Sequence, residues 1–533
     1  MDIGVFSASE WLYTDTSPDQ GSSNTLELAV ARGAHTACQL LIIPEATDAK
    51  MTISVEQIAG PALPPAEVFE LRDVMVEKNT GWHGFVAKDG DDPSGYVTRL
   101  APFRVYDAMR PATDGNVQTN NGRAAVYLCW RLPVSAEPGR VQAVIRVSAR
   151  EQTVAIPVAI EVSSAVVPEQ GRLRVTNWFS LDNMATRHEL TPWSEEHWDM
   201  IAAYGKLMRR GRQTNFWVPS SLHEIKRTAD GCVQIDFSRA KRLIELFLDL
   251  GFTCIEGGHV GGRLRFGDPD FVLNVDRDIK ATGPEGYAFL AQYLPAWHGF
   301  LQDNGWLDQT IQYVGDEPID ASAQDYRVLA GIVRKFMPGI PLIDAVERPG
   351  LGGAVDIWVP KNSYFQEHRE EFETHRRFGD TLWFYTCCIP GGKYMNRLLD
   401  MPLLRTRYLH WGNYKYDLKG YLHWGLNHYK AGQNPFEENA PAHGEGGTTN
   451  LPPGDTHIVY PGPGQPWPSV RLENMAMGIE DYELLCQVAE QDQPAADRVC
   501  ASVFRAFDDA TECPAAFAEA HRQLVPPNPQ TSV

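Results

Sequence analysis

After Arg172 the chain settles into short apolar runs alternating with longer stretches of helical periodicity, a rhythm that few folds accept. The runs are RVTNWFS at 174–180, NFWV at 215–218, TCIE at 253–256, TIQYVG at 310–315, PLID at 341–344, VDIWV at 355–359, TLWFY at 381–385 and GYLHWG at 420–425. Helical patterns separate several of them, at 194–210, 238–251, 323–336 and 364–378. Eight strand-helix units in about 250 residues predict a (β/α)8 TIM-like barrel, whose reactive groups belong at the C-terminal ends of the strands.

The part before it has a different period. From Met1 to about Pro168, runs such as LELAV, ACQLLII, AAVYLCWRL and VAIPVAIEV are β-branched, alternating and separated by turns, which predicts an antiparallel all-β sandwich. The expected class is therefore α/β, with a sandwich over 1–170, a catalytic barrel over 171–490 and a C-terminal helical extension with a disordered tail over 491–533. The stretch 431–468 is rich in Gly, Pro and Asn and reads either as a cover over the barrel mouth or as a surface excursion.

A formal net charge of −20 disfavours contact with a phosphate backbone, so no nucleic-acid partner is expected. No run approaches the roughly 18 apolar residues of a membrane helix, so no membrane insertion is expected. Nine cysteines without metal-type spacing suit a reducing compartment. The first residues lack a secretory pattern, giving an expectation of a cytoplasmic protein, or of a secreted one if a leader has been removed. Nothing in the sequence sets an oligomeric state.

Chemistry concentrates at Asp316 and Glu317, adjacent carboxylates where the fourth run ends in a loop before Pro318. Neighbouring residues of a strand point to opposite faces, so two of them serve one site only where the strand stops. Paired carboxylates are what glycosidic cleavage needs: one protonates the leaving oxygen while a second group stabilises charge at the sugar carbon. Trp217, Glu256, His259, Asp344, Trp358, Tyr385, Trp424 and Asn427 fall at or just past other strand ends, where aromatic faces and polar tips can hold a sugar. Glu256 and Asp344 are also the carboxylates to which an enzyme-nucleophile scheme would turn. His35, Cys38 and Asp73 read as packing or surface residues, Cys387 and Cys388 as a buried pair, and His368, Glu371 and His375 as a solvated helix face. Hydrolase elbows, phosphate loops, dinucleotide fingerprints and zinc helices are absent, so no cofactor or metal is expected.

Five stretches together carry a family resemblance: YVGDEP at 313–318, WFYTCCIPGGKYMN at 383–396, RYLHWGNYKYDLKGYLHWGLNHY at 407–429, GDTHIVYPG at 454–462 and SVRLENMAMGIEDYELL at 469–485. In them the chain resembles glycoside hydrolase family 123, the retaining β-N-acetylgalactosaminidases, from Arg172 to about Glu490. The resemblance implies a carbohydrate substrate and a mechanism in which the substrate's own 2-acetamido oxygen is the nucleophile. Asp316 would orient that group and stabilise an oxazolinium ion, and Glu317 would act as acid and then base from a carboxyl of raised pKa. Tyr385 would meet the acetamido oxygen, with Trp358 and Trp424 as walls. Galacto or gluco configuration stays open.

Overall fold

The computed structural model describes all residues except 23–25, 46–49, 151, 230, 445–446 and 528–533. It is a mixed α/β protein with a β-rich N-terminal region and C-terminal helices. Two five-stranded sheets form the first part, one built from Asp2–Ser7, His35–Ile43, Ala124–Arg131, Glu67–Val76 and Phe103–Pro111, the other from Leu26–Arg32, Gln152–Val166, Gly139–Ala149, Lys50–Ala59 and Asn116–Gln118. Inward-facing Val, Ile and Leu alternate with exposed polar residues along Gly139–Ala149, as a half-buried strand requires. One pair departs from the expected antiparallel order: Leu26–Arg32 runs parallel to Gln152–Val166, because no hairpin joins them and their directions are independent.

Beyond it, Asn215–Val218, Cys254–Gly257, Thr310–Tyr313, Leu342–Val346, Ile357–Pro360 and Thr381–Leu382 form a six-stranded parallel sheet in chain order. Arg174–Asn177, Gly420–His423 and Phe384–Tyr385 form a second, three-stranded parallel sheet. Period-two alternation sorts the side chains. Ile311, Tyr313, Ile343, Ala345, Ile357, Val359, Trp383, Tyr385 and Leu422 gather into one apolar cluster on the shared face. The intervening residues turn to the helices, so Asp344 meets Tyr326 and Trp358 meets Phe372 and His375.

Several local expectations change. His368 interrupts the predicted helix 364–378, leaving Asn362–Glu367 and Arg369–Arg377. The solvated-face reading fits His368, which meets the exposed Glu371 at 3.2 Å, but not His375, which stacks on Trp358 at 4.0 Å and bonds the Pro349 carbonyl. The expected division at 490 lies beside Asp492, whose backbone leaves helical geometry within Val470–Val503. Leu524 and Val525 are packed, and the rest of the expected disordered tail past 527 lies outside the described residues.

Among its described residues the stretch 431–468 is a surface excursion only in part, with 442–444 and 447–448 exposed. Residues 451–460 are all buried. Glu77 of the β-rich region accepts the amides of Asn439 and Ala440, and the Asn439 side chain donates to the Met75 carbonyl.

Helix Val470–Val503 is tied to the β-rich region by Arg131, which pairs with Glu473 (2.6 Å), and by the buried His35 ring, which bonds Glu480 (2.8 Å); Arg210 and Arg212, from the part after Arg172, pair with the same two carboxylates (2.6 and 2.8 Å). His35, Cys129 and Glu473 lie close enough together to reach a metal ion, but the two guanidiniums already neutralise Glu473. Among the described residues no helix is long and apolar enough to cross a membrane.

Candidate active site

Thr310–Tyr313 ends where its amide ladder ends, and the next residues are gripped by side chains instead. Asp344 lies fully buried one strand over. Its Oδ2 accepts the amides of Val314 (3.2 Å) and Gly315 (3.0 Å) and the Tyr326 hydroxyl (2.5 Å). Asp344 therefore fixes the turn that delivers Asp316 and Glu317, and it does not reach the open side of the site. Asp344→Ala would strand three buried donors at about 1–3 kcal/mol each. Chemical denaturation should show a loss of about 3 kcal/mol or more, whereas unchanged stability would mean that these donors find other partners.

Arg263 holds the next two residues, donating to the main-chain carbonyls of Asp316 and Glu317, both at 2.8 Å. Between these grips Glu317 adopts φ 44°, left-handed geometry that costs a non-glycine residue about 1–3 kcal/mol and recurs where function sets the backbone. Strict strand alternation therefore does not govern the two carboxylates.

Glu317 is bound by two groups. Its Oε1 accepts the Tyr385 hydroxyl and lies 3.0 Å from the Lys361 ammonium, which also pairs with Glu347 at 3.2 Å. Burial alone would raise the Glu317 pKa, but Lys361, the Tyr385 hydrogen bond and Arg263 outweigh it, and the net direction is down. Asp316 moves up, through burial and then the adjacent Glu317 carboxylate. With 55 % of its side chain exposed, water screens part of the burial effect, and the like charge next door is the cause we rely on. The expected order is thus reversed. Glu317 is the anion and Asp316 carries the raised pKa, because Lys361 supplies a counter-charge that the sequence reading did not include.

The other candidates divide. Tyr385 bonds Glu317 from its strand end, and Trp424, just past Gly420–His423, donates its indole N–H to Asp455 (3.2 Å) from the 431–468 stretch. Trp217 and His259 join Trp178 and Tyr313 in an aromatic group with centroids 4.9–5.5 Å apart. The His259 Nε2 faces Asp344 (3.7 Å) and Asp316 (4.0 Å), and burial pushes its pKa down to about 3, leaving it neutral.

Trp358 is corrected: its parity in the strand turns it to the helices, where it donates to Asp380 (2.9 Å), so it walls no sugar. Asn427 spends its amide on both main-chain groups of Ser180 (2.8 and 3.0 Å) and is a clamp. Glu256 is sealed beneath the site, accepting from Asn215 and Thr176 (both 3.0 Å), its pKa raised to about 7 by burial. Lys361, Glu347, Arg263, Trp178 and Asp455 were missed. Lys361 follows a strand's last residue, Pro360, so counting every strand end would have found it, whereas Trp178 follows Asn177 inside a run read as continuing to Ser180.

A family model described as glycoside hydrolase 123, catalytic domain, matches residues 178–488. A family 123 glycoside hydrolase from Clostridium perfringens, solved in a study of glycolipid glycan hydrolysis, superposes with a TM-score of 0.73 at 14 % identity. That match covers 98 % of this chain and 97 % of the other, and at such identity it speaks to the fold. A GH39 β-xylosidase from Caulobacter crescentus matches with a TM-score of 0.37 at 11 % identity, over 59 % of this chain and 72 % of its own, too little likeness to carry an argument. A search of curated proteins finds no match.

Proposed function

The chain belongs to glycoside hydrolase family 123 and is a glycoside hydrolase, and from that premise we propose that it releases a terminal β-linked N-acetylgalactosamine, or a related 2-acetamido sugar, with retention through an oxazolinium intermediate. The observation that carries this is the way the carboxylates are distributed. Asp316 and Glu317 emerge together at a strand end, while Glu256 and Asp344 are fully buried and committed to protein donors. A sugar that brings its own nucleophile needs no further carboxylate.

We also read the two parallel sheets as arcs of one (β/α)8 barrel. Supporting this are the Thr214 amide bonded to the Val175 carbonyl (3.1 Å) at one junction and the Trp383 amide bonded to the Trp358 carbonyl (2.9 Å) at the other. The site then lies at the C-terminal mouth, as barrel chemistry requires.

In this reaction Asp316 accepts the acetamido N–H. That hydrogen bond favours its charged form and passes the proton of the pair to Glu317. Glu317 then protonates the leaving oxygen and afterwards deprotonates the attacking water. Trp424 and Trp217 offer faces to the ring.

A second reading, with an enzyme nucleophile, rests on Glu347, which shares Lys361 with Glu317. The deciding experiment is release of 4-nitrophenol from the β-N-acetylgalactosaminide, β-N-acetylglucosaminide and β-galactoside by wild type, Glu317→Gln and Glu347→Gln. Turnover limited to N-acetyl sugars, lowered in Glu317→Gln and kept in Glu347→Gln, supports substrate assistance. Efficient β-galactoside cleavage, or silence in Glu347→Gln, overturns it.

A further inference from the structure

The β-rich region does more than brace the rest of the chain. Between Glu67–Val76 and Phe103–Pro111 it sends out a loop whose residues 79–87 lie against the turn that follows Tyr385. Phe85 donates its amide to the Cys388 carbonyl (2.8 Å), and Val86 donates to the Asn450 carbonyl (3.3 Å). Asp400 accepts the Thr80 amide (2.7 Å), the Thr80 hydroxyl (2.7 Å) and the Asn79 side chain (3.2 Å). The two backbones approach so closely that a methyl group at Gly84 or Gly391 would strike the facing main chain. A loop held this tightly presents its apex in one place.

At that apex is Trp82. Its ring meets Tyr96 edge-on at 5.3 Å and lies against Gly392, where a Cβ would stand 3.2 Å from it, yet 53 % of the residue is exposed. Phe85 is three residues on, which at no more than about 3.6 Å per residue keeps Trp82 within about 13 Å of the Cys388 carbonyl, and Cys388 lies close enough to Glu317 to feel its charge. Cys388 is in turn the third residue past Tyr385, whose hydroxyl is bonded to Glu317. A half-exposed indole on a rigid support, carried by the loop that meets the turn after Tyr385, is suited to the apolar C–H face of a pyranose.

We propose that Trp82 is a stacking platform for the neutral sugars on the leaving side of the scissile bond, so that the β-rich region selects oligosaccharides over simple glycosides; this rests on the proposed glycosidase reading.

The test compares kcat/KM for N-acetylgalactosaminyl-β-lactose with that for the 4-nitrophenyl β-N-acetylgalactosaminide in wild type, Trp82→Ala and Trp82→Tyr. Binding of the trisaccharide to Glu317→Gln, with and without Trp82→Ala, is measured by calorimetry. The ratio of the two kcat/KM values should fall about tenfold in Trp82→Ala and recover in Trp82→Tyr, with unchanged melting temperatures. Trisaccharide binding should weaken by a similar factor. Equal losses on both substrates, or trisaccharide binding indifferent to Trp82, overturn the platform. If wild type cleaves no nitrophenyl glycoside, the specificity reading fails instead, and Trp82-dependent trisaccharide binding would still support the platform.

Discussion

Glu317→Gln should lower kcat/KM by about 10²–10⁴-fold, the range that a positioned general acid and base supplies. Glutamine keeps the shape, and its oxygen can still accept from Lys361 and from the Tyr385 hydroxyl, so the site should keep its geometry. What disappears is a group able to give up and take back a proton. The loss should therefore depend on the leaving group. 4-Nitrophenolate departs with little protonation, whereas an alkyl or sugar alkoxide needs it fully. The deficit should be smaller on the nitrophenyl glycoside than on the methyl glycoside or the trisaccharide. Asp316→Asn should instead injure all of them alike, because it weakens support for the oxazolinium charge whatever departs. If Glu317→Gln shows the same deficit on every leaving group, Glu317 is not the acid.

The sequence made the strands legible because each is short, apolar and bounded, and Asn215–Val218 matches its run residue for residue. Candidates chosen for lying near a strand end were less secure. Trp358 and Asp344 sit on one strand face and Tyr385 on the other, and only the pairing register decides which face meets the helices. A misjudged end also shifts the count, as at Arg174–Asn177, which stops before the tryptophan that its run was taken to contain. Lys361 was overlooked because a search for paired acids does not look for the cation between them.

The stretch 431–468 shows another limit. Its composition is that of a loop, but its partners are Glu77, Met75 and Trp424, far away in the chain. The family stretch GDTHIVYPG falls inside it. Asp455, fully enclosed and with its pKa raised to about 7 by burial, is the residue that meets Trp424. Such contacts are set by tertiary packing, and local composition does not encode them.

Lys361→Met should displace the pH profile and destabilise the protein, with charge as the cause of both. The side chain is 2 % exposed and lies over the rings of Tyr385 and Tyr364 at 5.0 Å each, so little water replaces it as partner to Glu317 and Glu347. Removing one member of such a buried pair costs about 3–5 kcal/mol, to be read by chemical denaturation at neutral pH. Lys361 lowers the pKa of both Glu317 and Asp316. Without it both rise, and both limbs of the bell-shaped kcat/KM profile should move to higher pH, whichever carboxyl holds the shared proton.

The stability difference has its own pH dependence. A carboxylate whose folded pKa is depressed adds stability above its unfolded pKa and loses it as pH falls through the folded value. The gap between wild type and Lys361→Met should therefore be full at neutral pH and narrow on acidification below the carboxylate range. Lys361→Arg keeps the positive charge and should return both limbs toward the wild-type position even if turnover stays low. A Lys361→Met profile with limbs at the wild-type pH would mean that the ammonium does not govern the pair.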